Sequence, residues 1–279
     1  MKLTVAQALG SARAAGLDGL DSQVLLAKCL GRPRSWLLAH GETDLETPQC
    51  EAFSGFVARR AGGEPLAYLT GEKEFRGLIL GVDPAVLIPR PETEHLVEWG
   101  LEILGQRYTE VSRPWVLDLG TGSGAIALAL KTAYPAAQVV ASDVDLQALD
   151  VAQCNAKRLA LDVEFQAGDW WSAMENRRFH VVLCNPPYIP NADNHLAALL
   201  HEPISALTPG ASGLEALLRV VQDAPGHLHA QGWLLLEHGY DQGEAVRKLL
   251  LRRGFVQVLT RQDLAGQPRC TGGCWPGKD

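Results

Sequence analysis

The spacing of apolar residues along the chain changes twice. Up to about residue 72 they recur at helical spacing between Gly and Pro breaks, and almost no run alternates as a strand would. Thr4 to Gln7 predicts a capping box opening a helix that carries Val5, Ala8 and Leu9. Val24, Leu25, Lys28 and Cys29 belong to a second helix that ends at Gly31. Thr47 ahead of Pro48 predicts the cap and first turn of another helix, bearing Phe53, Phe56 and Val57. Residues 1–72 therefore read as a small all-helical bundle. The segment from Glu74 to Pro89 holds two short β-favouring runs around Val82, Asp83 and Pro84, which predicts a hairpin connector over 73–90.

Residues 91–279 form a second domain by their pattern. Leu96, Val97, Gly100, Leu101 and Leu104 keep a helical period, and from Trp115 short apolar runs alternate with helices. WVLDL precedes a helix from Ala125 to Ala133, and QVVAS precedes one from Leu146 to Leu159. DVEFQ, FHVVLC and GWLLLEHG continue the series as strands. Strand and helix in alternation make an α/β fold with a parallel sheet. The tail after Arg261, GQPRCTGGCWPGKD, is so rich in Gly and Pro that it argues against a clean final strand and for an irregular sheet edge.

Composition narrows the partners. A net charge of -7 disfavours a surface built for long runs of phosphate. The six cysteines include no C-x-x-C pair, and Cys270 and Cys274 lack a second half-site, so they read as reduced, mostly core thiols and no metal is expected. No basic leader followed by an apolar run opens the chain, and no stretch of about 18 apolar residues follows. A cytoplasmic protein without membrane or stable nucleic-acid partners is expected.

Two loops carry chemistry. The first strand runs into Gly120-Thr121-Gly122-Ser123-Gly124, and a helix follows at once. Glycine here turns the backbone sharply and lets a ligand approach the peptide plane without a Cβ in the way. Without a following Gly-Lys-Ser/Thr it is not a nucleoside triphosphate loop. The loop alone fits both a nicotinamide or flavin dinucleotide and S-adenosylmethionine. Asp143 ends the second strand about 20 residues on, where a carboxylate accepts the hydroxyls of an adenosine ribose; Asp145 is its near alternative, and either also suits a helix N-cap.

The second loop, Asn185-Pro186-Pro187-Tyr188, follows FHVVLC at the carboxyl edge of the sheet. The Asn185 side-chain oxygen and the Pro186 carbonyl are two acceptors able to hold both hydrogens of an NH₂ group, and Tyr188 offers a flat face for a planar amide or base. Holding both hydrogens lets the nitrogen pyramidalise toward a methyl donor while two oxygens share the developing charge. The tetrapeptide in isolation is equally an ordinary turn. After a glycine loop and an acidic second strand end, it points to methyl transfer onto a planar nitrogen.

On these residues the chain resembles the PrmC/HemK family, glutamine methyltransferases that modify class I peptide chain release factors. The resemblance spans nearly the whole length. It rests on Asp118 to Gly124, Asn185 to Tyr188, the segment Ile88-Pro89-Arg90-Pro91-Glu92-Thr93-Glu94, Gly63 to Gly71, Glu202-Pro203 with Ala206-Leu207, and Leu235 to Gly239. It implies a Rossmann-like, seven-stranded class I methyltransferase sheet and an N-terminal bundle that grips the release factor. It implies transfer from S-adenosylmethionine to the side-chain nitrogen (N5) of the glutamine in a Gly-Gly-Gln loop. Gly120, Thr121, Gly122, Ser123, Gly124, Asp143, Trp170 and Asn185 would then bind the cofactor, and Asn185, Pro186, Pro187 and Tyr188 the glutamine, with Asn185, Pro186 and Tyr188 catalytic.

Other readings stand beside these. Trp170 also suits a core aromatic, Arg90 a clamp between the two domains, and Glu202 a capping carboxylate. An adenine-N6 or guanine-N2 nucleic-acid methyltransferase shares the tetrapeptide but calls for a basic, aromatic-lined channel that this acidic chain does not display. A regulator that senses S-adenosylmethionine without catalysis has no use for an NH₂ clamp.

Overall fold

In the computed structural model, which describes residues 3–277, the first helical period becomes α1 (Val5–Ala14). Its capping box is formed: Thr4 Oγ1 accepts from the Gln7 N–H at 3.3 Å, and Gln7 Oε1 accepts from the Thr4 N–H at 2.9 Å. Next come α2 (Gly19–Leu30), which stops at Gly31 in the left-handed conformation, α3 (Arg34–Ala39), α4 (Thr47–Ala61) and α5 (Leu66–Thr70). Thr47 is the first helical residue of α4 rather than its cap. The cap is Glu46, whose N–H is taken by Gln49 Oε1 at 2.9 Å, and Pro48 falls in the first turn, where no N–H is needed. Val5, Leu25, Leu26, Leu37 and Phe53 form the bundle's core, and an Arg60–Asp21 ion pair at 2.6 Å ties α4 to α2. The chain divides after Glu72, and this bundle is the first unit.

A two-stranded hairpin opens the second unit, β1 (Glu72–Phe75) and β2 (Leu78–Gly81). Its turn lies at Arg76-Gly77, ahead of the expected Val82–Pro84. Both turn residues have positive φ, 48° and 79°, as a two-residue hairpin turn requires, and Gly77 accepts that conformation freely. Pro84, with no N–H, lies beyond the ladder.

The remaining elements are α6 (Thr93–Arg107), β3 (Trp115–Leu119), α7 (Ala125–Ala133), β4 (Gln138–Asp143), α8 (Leu146–Leu159), β5 (Glu164–Ala167), β6 (Phe179–Cys184), α9 (Glu215–Asp223), β7 (Leu228–Glu237), α10 (Gly243–Arg253), β8 (Val256–Gln262) and β9 (Pro268–Cys274). The strands form a seven-stranded sheet in the order β5-β4-β3-β6-β7-β9-β8, parallel except for β9. Side chains alternate between two cores. Val116, Val181, Leu183 and Leu235 face α6 and α7, while Leu117, Leu119, Val182, Leu234 and Leu236 face α9 and α10. Burial on both faces is why these strands read as continuous apolar runs rather than alternating ones.

Contrary to expectation, the Gly- and Pro-rich tail makes a regular strand, β9, inserted between β7 and β8. Its glycines answer a packing demand. A Cβ on Gly272 would lie 2.5 Å from Leu235 Cδ2 and 2.9 Å from both Leu234 O and Trp99 Cη2, so only glycine lets the strand pass beneath the Trp99 ring. The irregularity falls instead on edge strand β8, whose pairing with β9 shifts register twice. Cys270 and Cys274 are buried in β9 opposite Glu237 and Trp233, while Cys154 on α8 is exposed. Gly272→Ala is expected to cost about 1–3 kcal/mol through overpacking, read as a lower urea midpoint with an unchanged slope. An unaltered midpoint would refute this account of the tail.

Candidate active site

From β3 the chain winds outward through β4 to β5, then returns to lay β6 against the other side of β3. Loops leaving β3 and β6 therefore diverge to opposite faces and open a crevice at the carboxyl ends of the two strands. A cavity of about 390 Å³ lies there, walled by Gly120 to Ser123, Asp143, Trp170, Asn185 and Pro187 among others.

On one side stands the glycine loop. Gly120, Gly122 and Gly124 have φ of 82°, 53° and 85°, a conformation L side chains rarely adopt. The three differ in surroundings. A Cβ on Gly124 would press on Leu128 Cδ1 at 3.0 Å, so that glycine serves packing, whereas a Cβ on Gly122 would meet nothing within 4 Å. Asp118, fully buried at the end of β3, anchors the loop: its Oδ2 accepts from Thr121 Oγ1 at 2.6 Å and from the Ala127 N–H at 3.0 Å. Its Oδ1 has no partner, and desolvation, opposed by those two bonds, pushes its carboxyl up to about 7.

Asp143 and Asp145 separate in role. Both line the cavity, but Asp145 caps α8, accepting from the Gln147 N–H at 2.8 Å, while Asp143 accepts from the Gly122 N–H at 2.9 Å. Burial raises the Asp143 carboxyl above its ordinary range. Trp170 is half-buried, lines the cavity beside Gly120 and packs partly on the core. Asn155, which sequence reasoning passed over, fixes the loop from behind. Its amide donates to Ser123 O and Gly81 O, both at 2.9 Å, and its oxygen accepts from the Gly81 N–H at 2.7 Å, joining α8, the hairpin and the glycine loop.

Opposite lies the β6 loop. Asn185 and Pro187 line the cavity; Pro186 is buried, and neither it nor Tyr188 belongs to the wall. Asn185 Nδ2 donates to Thr93 Oγ1 at 3.2 Å, which leaves Oδ1 as its free acceptor. The Tyr188 hydroxyl is 3.4 Å from Glu237 Oε1, and its carbonyl accepts from Gln242 Nε2 at 2.9 Å. Thr93 and Glu237 were missed as site residues, although a carboxylate closing the apolar run Leu234-Leu235-Leu236 was a visible signal.

Arg90 and Glu202 pair at 2.5 Å, and Glu202 also accepts from the Ile88 N–H at 3.1 Å. Both residues belong to the second unit, so the pair clamps two of that unit's own loops instead of joining domains. Glu202 caps no helix, because its buried oxygens are already committed to Arg90 and Ile88. The loop from 189 to 209 is structured around it, with short 3-10 turns at Asn194–Leu199 and Ile204–Ala206.

Residues 5–71 match the family profile described as PrmC N-terminal domain, and residues 96–212 match that of the methyltransferase small domain. A release factor glutamine methyltransferase from Xylella fastidiosa is 46% identical over 97% of this chain and 98% of its own. One from Pseudomonas aeruginosa is 47% identical over 92% of each chain, and one from Escherichia coli is 40% identical over 95% of each. The chain belongs to the release factor glutamine methyltransferase family. Among solved structures it is similar to a T. Thermophilus 16S rRNA methyltransferase, RsmC, in complex with AdoMet and guanosine, with TM-score 0.55 and 23% identity over 73% of this chain and 49% of that one. A Pyrococcus furiosus methyltransferase gives TM-score 0.54 and 19% identity over 81% of this chain and 100% of that one. These two establish the fold, a class I methyltransferase sheet.

For a member of this methyltransferase family, the residues fit S-adenosylmethionine. Open space at Gly122 leaves room for a ligand against the peptide plane, and the carboxylates of Asp143 and Asp145 on the cavity wall suit one carrying positive charge. Gly122→Val is expected to weaken S-adenosylmethionine binding by about 10-fold or more while costing only about 1–2 kcal/mol of stability, since its strain comes from φ alone. Calorimetric titration beside thermal unfolding separates the two effects; equal ligand affinity would mean the space at Gly122 is not used.

Proposed function

We propose that this protein transfers a methyl group from S-adenosylmethionine to the side-chain amide nitrogen, N5, of the glutamine in the Gly-Gly-Gln loop of class I peptide chain release factors. One observation carries the reading. Asn185 lines the same cavity as the glycine loop and, with its Nδ2 spent on Thr93, keeps its amide oxygen as an acceptor for a substrate N–H beside the place a methyl donor would occupy.

When bound, S-adenosylmethionine supplies a methyl group on a sulfonium that leaves as a neutral thioether, so no metal or covalent enzyme adduct is needed. Gly120 to Ser123, Asp143 and Trp170 would hold it, with Gly124 packing the loop onto α7. Asn185 Oδ1 and the Pro186 carbonyl each accept one amide hydrogen of the glutamine, with Pro187 stiffening the loop and Tyr188 as the flat face beside it. An amide nitrogen is a poor nucleophile because its lone pair is shared with the carbonyl. Two acceptors on its hydrogens favour pyramidalisation and take up the charge that grows on nitrogen as the N–C bond forms; one hydrogen then leaves as a proton. Alignment of donor and acceptor contributes about 7–11 kcal/mol.

The bundle of residues 1–72 binds the release factor, 73–90 connects, and 91–279 carries the chemistry. The enzyme works in the cytoplasm, beside translation, with neither membrane nor stable nucleic-acid partners. Among the described residues no helix is long and apolar enough to cross a membrane.

With labelled cofactor, label is expected on the Gly-Gly-Gln glutamine of a release factor and not on duplex DNA or ribosomal RNA. Label on nucleic acid would move the chain to amino methylation of bases. Asn185→Ala is expected to retain cofactor affinity and lower kcat about 100-fold or more, the scale of one lost transition-state hydrogen bond, and unchanged turnover would refute its role. Removal of residues 1–72 should raise KM for the release factor while leaving cofactor affinity unchanged; equal KM would assign the bundle elsewhere.

A further inference from the structure

Asn185 works as an acceptor only if its amide is turned one way. Rotated by half a turn, its NH₂ would face the substrate NH₂, donor against donor, and the clamp would repel what it should hold. The packing of Asn185 alone does not discriminate, because oxygen and nitrogen are nearly the same size. Something must choose.

Beside Asn185 on the cavity wall is Thr93, the first residue of α6, buried near Glu237 at the end of β7. The Thr93 hydroxyl lies near enough to the Glu237 carboxyl to favour its ionised form, and the Tyr188 hydroxyl approaches Glu237 Oε1 at 3.4 Å. Glu237 is 1% exposed and its Oε2 has no partner. We propose that Glu237 is a positioning residue for methyl transfer: acting through Thr93 it sets the direction of the Asn185 amide, and through the Tyr188 hydroxyl it holds the aromatic ring of the same loop. This rests on the glutamine-methylating reading above.

The logic is one of donors and acceptors. An ionised carboxylate can only accept, so the Thr93 hydroxyl must spend its hydrogen on Glu237. The Thr93 oxygen is then left only to accept, and the group it accepts from is the Asn185 NH₂, at 3.2 Å. Asn185 Oδ1 is consequently the end left to accept from a substrate. A protonated Glu237 can itself donate to Thr93, and the order along the chain is lost.

Burial pushes the Glu237 carboxyl up to about 7, opposed by the neighbouring Thr93 and Tyr188 hydroxyls. Arg269 on β9 favours ionisation and Glu92, just ahead of Thr93, opposes it. Cys270 and Cys184 are the other titratable groups that feel its charge, and both thiols are pushed well up by burial, so they stay neutral where Glu237 titrates. Its neighbour His238 is bonded through Nε2 to Thr271 and is held below its ordinary range by desolvation.

The test is steady-state methylation of a purified release factor by the full chain and by Glu237→Gln, Thr93→Val and Thr93→Ser, across a pH range spanning neutrality. In the unaltered chain kcat should fall on the acid side with a midpoint near 7. Glu237→Gln, near-isosteric but able to donate, should lower kcat about 10- to 100-fold and abolish that acid limb, with KM for S-adenosylmethionine held within about 2-fold. Thr93→Val should lose kcat similarly and Thr93→Ser should restore it, since only the hydroxyl is required. Full turnover in Glu237→Gln, or loss of cofactor affinity in step with kcat in both Glu237→Gln and Thr93→Val, would overturn the inference. If the unaltered chain leaves the release factor unlabelled, the substrate assignment fails first and this inference with it. If it labels the factor and the variants match it, this inference fails alone.

Discussion

Two adjacent parallel strands, β3 and β6, leave the sheet side by side while the chain connecting them departs in opposite directions. Everything at the site follows from that reversal. A continuous winding would have laid a crossover helix over the strand ends; the reversal leaves a crevice there, with a glycine loop on one bank and Asn185 on the other. The register Asp118↔Leu183 then sets how far the two loops stand apart, because each follows its strand within two residues of that pair.

The crevice concentrates buried acid. Asp118 beneath the glycine loop and Glu237 behind the β6 loop are both enclosed, both titrate near neutrality, and each keeps one oxygen without a partner. Such groups cost stability: each binds its proton more tightly folded than unfolded, so the fold loses free energy as pH rises from the ordinary carboxylate range through about 7. They persist where they organise others. Asp118 fixes Thr121 and the start of α7, and Glu237 faces Thr93 and Tyr188, so in each case a buried acceptor orders donors whose own placement shapes the cavity.

Long-range polar ties do the rest. Asn155 binds the hairpin and the glycine loop to α8, and the Arg90–Glu202 pair closes the segment before α6 against the loop after β6. Their partners lie far apart in sequence, and each replaces water on a buried group that would otherwise be unsatisfied. The cavity is thus a consequence of four loops pinned together, with the sheet as the fixed frame behind them.

Periodicity and cap chemistry sufficed for α1, α2, α4, α6 to α8 and strands β3 to β7, because those signals act within a few residues. The turn of the glycine loop and the acceptors at the ends of β4 and β6 were legible for the same reason: both are local. Three-dimensional packing decided the rest. Gly272 reads as a strand breaker until Trp99 is placed over it, and the hairpin turn moved to Arg76-Gly77 because positive φ, not β propensity, selects a two-residue turn. Which of Asp143 and Asp145 meets the Gly122 N–H depended on how the glycine loop closes on the end of β4, and Thr93 and Glu237 come near Asn185 and Tyr188 only when α6 and β7 converge. A sequence dictates what each residue can donate or accept; which partner it meets is settled when distant elements close around it and exclude water.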